Sequence, residues 1–256
     1  MIRKNIAGES VEERISPDNY MFGRHFFAYE IAKTYIPGES IVLEAGSGDG
    51  YGSTYLSLSC KHVIGIDIDF EPLEQARQKY DSRKLSFAQA SVLELPVADK
   101  SVDVVCSMQV IEHLDTPETY LGELRRVVKD NGTVIITTPY RESTGWRFDQ
   151  IPSPFHVIEY TKTELEPLLE TFFRSVEIKG IKFHPNSAAG KSDTDLGKFR
   201  SLDPLNLRRH VPVSLKPFLY GLVGFKPIGE IQMSSSDFEL ADEISDEVLD
   251  LIAICR

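Results

Sequence analysis

The sequence predicts a doubly wound α/β fold on a mostly parallel sheet. Three observations carry this expectation. Apolar runs of strand length alternate with helix-like segments from residue 41 to residue 138. The first run, Ile41-Val42-Leu43-Glu44, passes directly into Ala45-Gly46-Ser47-Gly48-Asp49-Gly50, a glycine turn at a strand end. Two further strand-like runs, 176–183 and 248–255, stand far apart in the chain.

Each element has its own signal. Residues 41–44 form the first strand, and 62–68 the second, with Asp67 near its end. Residues 72–79 are helical in composition, and Pro72 is tolerated near a helix start. A third strand is expected over 85–88. Residues 102–108 are almost wholly apolar, as a central parallel strand should be. Over 118–128, Tyr120, Leu121, Leu124, Val127 and Val128 fall on one helical face. Asp130-Asn131-Gly132 reads as a turn, and 133–138 as a fifth strand stopped by Pro139. The loop before 51–59 feeds a helix beginning near Ser53.

Flanking segments complete the expected fold. Residues 22–35 read as an aromatic-rich helix ended by Pro37-Gly38. Residues 163–173 read as a helix, with Thr161-x-x-Glu164 and Thr163-x-x-Glu166 as rival capping boxes. With 176–183 and 248–255 the count reaches seven strands. About sixty residues from His184 onward do not follow the α/β rhythm, and long segments of this kind usually serve function. They contain Pro204, Pro212, Pro217, Pro227 and an apolar piece at 218–225, and read as a substrate cap. The expected division is therefore 1–183 with 246–256 as the ligand-binding domain, 1–37 as its helical lid, and 184–245 as the cap insertion.

Composition narrows the function. At 256 residues and 41% hydrophobic content, there is material for one large core. A formal charge of -11 argues against nucleic acid as the main partner, although Arg208, Arg209 and Lys216 form a local basic cluster. Cys60, Cys106 and Cys255 are scattered without metal-ligand spacing, which fits a reducing, cytoplasmic setting without a disulfide framework. The amino terminus lacks the apolar core of a signal peptide, and no segment approaches the ~20 apolar residues of a membrane span.

The glycine loop calls for a ligand. Gly46, Gly48, Gly50 and Gly52 fall within seven residues, an entropically costly arrangement for a plain turn. Their spacing does not meet the G-x-G-x-x-G dinucleotide fingerprint. Asp67, seventeen positions after Gly50, can accept hydrogen bonds from ribose hydroxyls. Both nicotinamide cofactors and S-adenosylmethionine carry such a ribose, so Asp67 does not choose between them.

The motifs that follow add a resemblance. After the loop and Asp67 come Ser91-Val92-Leu93-Glu94-Leu95-Pro96, then Ser101-Val102-Asp103-Val104-Val105, Gln109-Val110-Ile111-Glu112-His113-Leu114 and Lys129-Asp130-Asn131-Gly132. In this order and spacing, residues 20 to 180 resemble the class I S-adenosylmethionine-dependent methyltransferases. The resemblance implies a Rossmann-like, seven-stranded sheet whose last strand is antiparallel, with S-adenosylmethionine as cofactor. It implies that Glu44, Gly46, Ser47 and Gly48 approach the methionine and ribose parts. Asp67 matches the ribose-binding acid and Ile68 an adenine-packing position. Ser91 and Val92 match the residues at the adenine edge, where many relatives carry an acid in place of Ser91. Gln109 matches a position facing the methyl group. His25 and Tyr29 resemble positions that close over the cofactor, and aromatic packing with Phe22, Phe26 and Phe27 explains them equally well.

Two histidines are candidate bases for an acceptor hydroxyl. His113 lies in Ile111-Glu112-His113-Leu114, and structural bonding within its loop is the competing role. His156 lies in Pro154-Phe155-His156-Val157-Ile158-Glu159-Tyr160, which resembles an element of bacterial methyltransferases linked to sugar and envelope metabolism; loop fastening is its competing role. Tyr140, Trp146 and Tyr160 are candidates for lining the acceptor pocket. The position after the fourth strand, Met108-Gln109-Val110-Ile111, lacks the Asp-Pro-Pro-Tyr-like element of amino-methylating nucleic-acid enzymes. The acid pair of magnesium-dependent relatives has no counterpart, so a metal-independent mechanism is expected.

The leading expectation is methyl transfer to an oxygen, ahead of a nitrogen, of a small molecule or glycan precursor. A quinone, lipid-linked or secondary-metabolite acceptor is the alternative, supported by Phe218, Leu219, Tyr220 and Phe225 in the cap. From other classes stand an NAD(P)-dependent reductase and a non-catalytic cofactor-binding protein. The first helix and the cap each offer a surface for a homodimer or for closure over substrate.

Overall fold

The computed structural model describes residues 20–143, 155–191 and 233–256. Its strands are β1 (Ile41–Ala45), β2 (His62–Asp67), β3 (Leu85–Gln89), β4 (Val102–Met108), β5 (Val128–Pro139), β6 (Val176–Phe183), β7 (Phe238–Ala241) and β8 (Asp250–Cys255). Its helices are α1 (Tyr20–Lys33), α2 (Tyr51–Ser57), α3 (Phe70–Lys79), α4 (Pro117–Val127) and α5 (Lys162–Glu170).

The strands form one sheet in the order β3-β2-β1-β4-β5-β8-β6-β7. The first five pair in parallel, and β8 runs antiparallel between β5 and β6. Chain order reverses between β1 and β4, so the carboxyl ends of these two strands border the crevice where ligands bind in open α/β sheets.

The apolar runs work because both faces of the sheet are covered. Successive side chains along a strand point to opposite faces. Val42, Val104, Cys106, Ile135 and Ile252 enter one core with Ala28, Tyr29 and Leu56 from α1 and α2. Leu43, Val105, Val134, Ile136 and Leu251 enter the other with Tyr120, Leu121, Leu124, Leu165 and Leu169 from α4 and α5. The face read from sequence for 118–128 is the one α4 buries, and Val128 has already begun β5. Each large apolar side chain so buried contributes roughly 1.5–3 kcal/mol.

Two expectations change. The sheet has eight strands where seven are expected from sequence: Phe238–Ala241 pairs antiparallel with β6, from Phe183↔Phe238 to Gly180↔Ala241. Four residues are too few to show a strand period. This strand lies in the 184–245 segment read as a cap, most of which, 192–232, lies outside the described residues. The basic residues Arg208, Arg209 and Lys216, the cap prolines, the 218–225 piece and Trp146 lie outside them too. The Asp130-Asn131-Gly132 turn is absorbed into β5, where pairing jumps from Val102↔Val128 to Val104↔Thr133. The turn-prone residues make an irregularity inside the strand, and pairing resumes on both sides. At α5, Thr161 is the cap that forms: the Glu164 carboxylate accepts its backbone N–H at 2.9 Å and its hydroxyl at 2.8 Å.

A buried ion pair ties α1 to the sheet. Arg24 Nε lies 3.0 Å from Asp250 Oδ2, with side chains 3% and 2% exposed. Breaking such a pair strands a charge in the interior. Arg24→Ala is expected to cost about 3–5 kcal/mol of stability, read from the midpoint of denaturant unfolding; a loss under about 1 kcal/mol would show that the pair is solvated or dispensable.

Candidate active site

The site begins where β1 ends. Gly46 and Ser47 donate their backbone N–H groups to the Ile66 carbonyl at 2.8 and 2.9 Å, bending the loop across the top of β2. Gly48 donates its N–H to Asp67 Oδ2 at 2.7 Å. The other Asp67 oxygen accepts the Asp69 N–H at 3.0 Å. Asp67 thus shapes the loop and remains partly exposed beside it. Gly46 has φ 86°, and a Cβ there would come within 2.4 Å of Val110. Gly50 has φ 77°, and its Cβ would meet the Phe87 ring at 2.7 Å. Neither position admits a side chain.

Behind the loop sits Glu44, fully buried. Its two carboxylate oxygens accept short hydrogen bonds from the Tyr29 hydroxyl and the Ser53 hydroxyl. One carboxylate therefore joins β1 to α1 and to α2. Burial raises the Glu44 pKa from 4.5 to about 7; the hydrogen bonds from Ser53 and Tyr29 oppose this, and Asp49 and Asp67 add repulsion. Three acids thus crowd one loop, a field suited to a cationic ligand. Tyr29 is committed to Glu44 and is 4% exposed, so it acts on the loop from behind. Ser47 Oγ is buried without a hydrogen-bond partner in the protein, an orphan polar atom inside the loop.

The neighbouring strand ends present the other predicted residues. Ile68 is 56% exposed just past β2, an apolar face open to a flat ring. Ser91 and Val92 are half-buried at the end of β3; Ser91 Oγ accepts the Leu93 N–H at 3.1 Å. The Asp67 carbonyl accepts the Ala90 N–H at 3.0 Å, bringing this turn beside Asp67. Gln109 follows β4 with φ 58°, unusual for a residue with a side chain, and such outliers cluster at functional sites. It is held by Thr137, whose carbonyl accepts its N–H at 3.0 Å and whose hydroxyl accepts its amide at 3.2 Å. His25 is half-buried on α1.

The two histidines come together. The His113 and His156 rings meet edge to face, 4.9 Å between centroids. His113 Nδ1 lies 3.0 Å from the Phe155 carbonyl oxygen. His156 Nδ1 lies 2.9 Å from Glu159 Oε1. The Glu112 carbonyl accepts the N–H groups of Val157 and Ile158 at 2.8 and 3.2 Å, fastening the second histidine's loop to the end of β4. Glu112 is fully buried, and burial lifts its pKa to about 8 against the pull of its own backbone N–H and Thr138. Potential ligand atoms of Glu112, His113 and His156 all lie within 4.8 Å of one another. Tyr140 and Tyr160, expected to line an acceptor pocket, are 5% and 3% exposed and belong to the core. Cys106 is buried, and burial pushes its thiol well above the usual range, as expected of an inert cysteine.

Sequence reasoning missed Ser53, Thr137 and Glu159. Glu159 was discoverable, since it follows His156 by three positions in the same short element. Ser53 and Thr137 carry no local signal, because their roles come from packing between elements.

Comparison with known proteins decides the family. Residues 43–136 match the methyltransferase domain family. A probable S-adenosylmethionine-dependent methyltransferase of Mycolicibacterium smegmatis is 32% identical over 97% of this chain and 93% of its own length. The chain belongs to the S-adenosylmethionine-dependent methyltransferases. A second such methyltransferase, from Mycobacterium tuberculosis, is 31% identical over 97% of this chain and 88% of its own. A malonyl-[acyl-carrier protein] O-methyltransferase of Hamiltonella defensa is 31% identical over 54% of this chain and 57% of its own. The structure of the YcgJ protein of Bacillus subtilis shares the fold, with TM-score 0.57 and 18% identity over 90% of this chain and 97% of that one. This methyltransferase thus uses S-adenosylmethionine, and the loop at its β1 end suits a ligand of that charge: Glu44, Asp49 and Asp67 lie at or behind it, and the orphan Ser47 Oγ offers it a hydrogen-bonding atom.

Burial of Glu44 and Glu112 makes stability depend on pH. Both carboxyls hold their protons more tightly folded than unfolded, so stability falls as pH rises from about 4.5 through about 7 for Glu44 and on to about 8 for Glu112, then levels. Glu44→Gln is expected to flatten the fall between about pH 5 and pH 7 in urea titrations. An unchanged slope would show that Glu44 titrates normally.

Proposed function

We propose that this methyltransferase transfers its methyl group to an oxygen of a small molecule or glycan precursor, held at the His113–His156 pair. The observation that carries the reading is the meeting of these two imidazoles at the end of β4, one sequence turn beyond Gln109. An oxygen acceptor must lose a proton, and neutral imidazole is suited to a hydroxyl at neutral pH. When bound, S-adenosylmethionine supplies an electrophilic methyl on a sulfonium.

The chain's own residues do the rest. The glycine loop and Asp67 hold the cofactor, and Glu44, Asp49 and Asp67 complement its positive charge. Gln109, locked by Thr137, borders the methyl position. Glu159 orients His156, and the Phe155 carbonyl orients His113. Exposed Phe155, Val157 and Ile158, 38%, 54% and 37% accessible, supply apolar contact beside the pair. The relative named an O-methyltransferase supports oxygen over nitrogen. The free buried cysteines support a cytoplasmic setting. Among the described residues, no helix is long and apolar enough to cross a membrane.

The test is an acceptor screen with isotopically labelled S-adenosylmethionine and mass spectrometry of products. Label on a hydroxyl-derived oxygen is expected, with His156→Ala lowering turnover at least about tenfold while S-adenosylhomocysteine binding is retained. Label on nitrogen or carbon, or full turnover by His156→Ala, would contradict the reading.

A further inference from the structure

We propose that Glu112, His113 and His156 bind a divalent transition-metal cation that holds the acceptor oxygen. The inference rests on the reading of the histidine pair as the acceptor's site; it makes the imidazoles ligands in place of proton acceptors, and it stands against the metal-independent mechanism expected from sequence.

Three observations point the same way. One potential ligand atom from each of the three residues lies within 4.8 Å of the others, a spacing from which they can converge on one ion. Both imidazoles are set in the ligating tautomer. A carbonyl oxygen only accepts hydrogen bonds, so the 3.0 Å contact with Phe155 O puts the proton of neutral His113 on Nδ1. The 2.9 Å contact of His156 with the Glu159 carboxylate does the same. In that tautomer the lone pair of each neutral ring lies on Nε2. An imidazole whose other nitrogen donates to a carbonyl or a carboxylate is the support that metal-bound histidines almost always have. The third observation is Glu112 itself: Oε2 accepts the Thr138 hydroxyl at 3.1 Å, and Oε1 is buried without a hydrogen-bond partner. Such an orphan requires an explanation, and a cation supplies one.

The donor set selects the ion class. Two imidazoles and one carboxylate suit manganese, iron, cobalt or zinc better than magnesium or calcium, which prefer all-oxygen shells. Three protein ligands leave positions open for the acceptor and for water. A ligated hydroxyl is more acidic and gives up its proton to solvent. Its oxygen then forms a bond to the methyl carbon as the sulfur–carbon bond breaks, and the sulfonium departs as a neutral thioether. The sequence hides the site because His113 and Phe155, which begins the second ligand loop, stand 42 positions apart.

The test titrates the full chain with Co²⁺, followed by its visible absorption, and with Zn²⁺ by calorimetry. One saturable equivalent is expected. His156→Ala and Glu112→Gln should each weaken it at least about tenfold, and Glu159→Gln by about tenfold. S-adenosylhomocysteine titrations on the same samples report folding; if Glu112→Gln fails them, His156→Ala decides. No saturable site in the wild-type chain, or unchanged Co²⁺ affinity in a folded His156→Ala, would overturn the proposal. Ion binding with methylation of a non-oxygen acceptor would sink the oxygen reading and the cation's role at an acceptor oxygen while leaving the ion site, and O-methylation with no ion site would sink the cation alone.

Discussion

A single buried carboxylate organises the cofactor end of this methyltransferase. Glu44 ends the polar silence of β1 inside the sheet, and a charge there is costly unless its oxygens are satisfied. Tyr29 from α1 and Ser53 from α2 satisfy both. The helices on that face are thereby registered against the strand that launches the glycine loop. The loop then has little freedom. Ile66 accepts its first two N–H groups, Asp67 accepts the third glycine-flanked one at Gly48, and Val110 and Phe87 close on the glycines. A ligand docking on this loop would meet a preformed surface, which spares the cost of ordering a loop on association.

The other half of the site hangs on β4 and β5. Glu112 carries two jobs from one residue: its carbonyl fastens the 155–160 loop, and its side chain stays buried near Arg24 and Asp250, whose charges act on it in opposite senses. Because Arg24 belongs to α1, the same helix that meets Glu44 also reaches Asp250 on β8 and acts on Glu112. Movement of α1 would disturb both ends together.

Much of this was legible in the chain. Every strand with a sustained apolar run appears where it was read, because burial on both faces forces continuous apolar residues and needs no knowledge of neighbours. The glycine loop and Asp67 were legible because backbone geometry restricts those residue types. The eighth strand was not, since Phe238–Ala241 has no period of its own and pairs only because β6 offers an open edge. Asp130-Asn131-Gly132 reads as a turn in sequence and lies within β5 in the structure, because turn propensity is local and strand pairing on both sides outweighs it. Tyr140 and Tyr160 looked like pocket residues and are core residues, since an aromatic near a strand end serves either role until its partners are known. The Glu112, His113 and His156 cluster is a tertiary fact, assembled by two loops whose separate sequences carry no ligand spacing.

The central claim is that ligand chemistry occupies the carboxyl edge of β1, β2, β3 and β4. Hydrogen–deuterium exchange with and without S-adenosylhomocysteine tests it most directly. Protection is expected over residues 46–50, 67–69, 90–93 and 109–110. Protection confined to the opposite edge, around Ser40, Asp103 and Thr133, would contradict it.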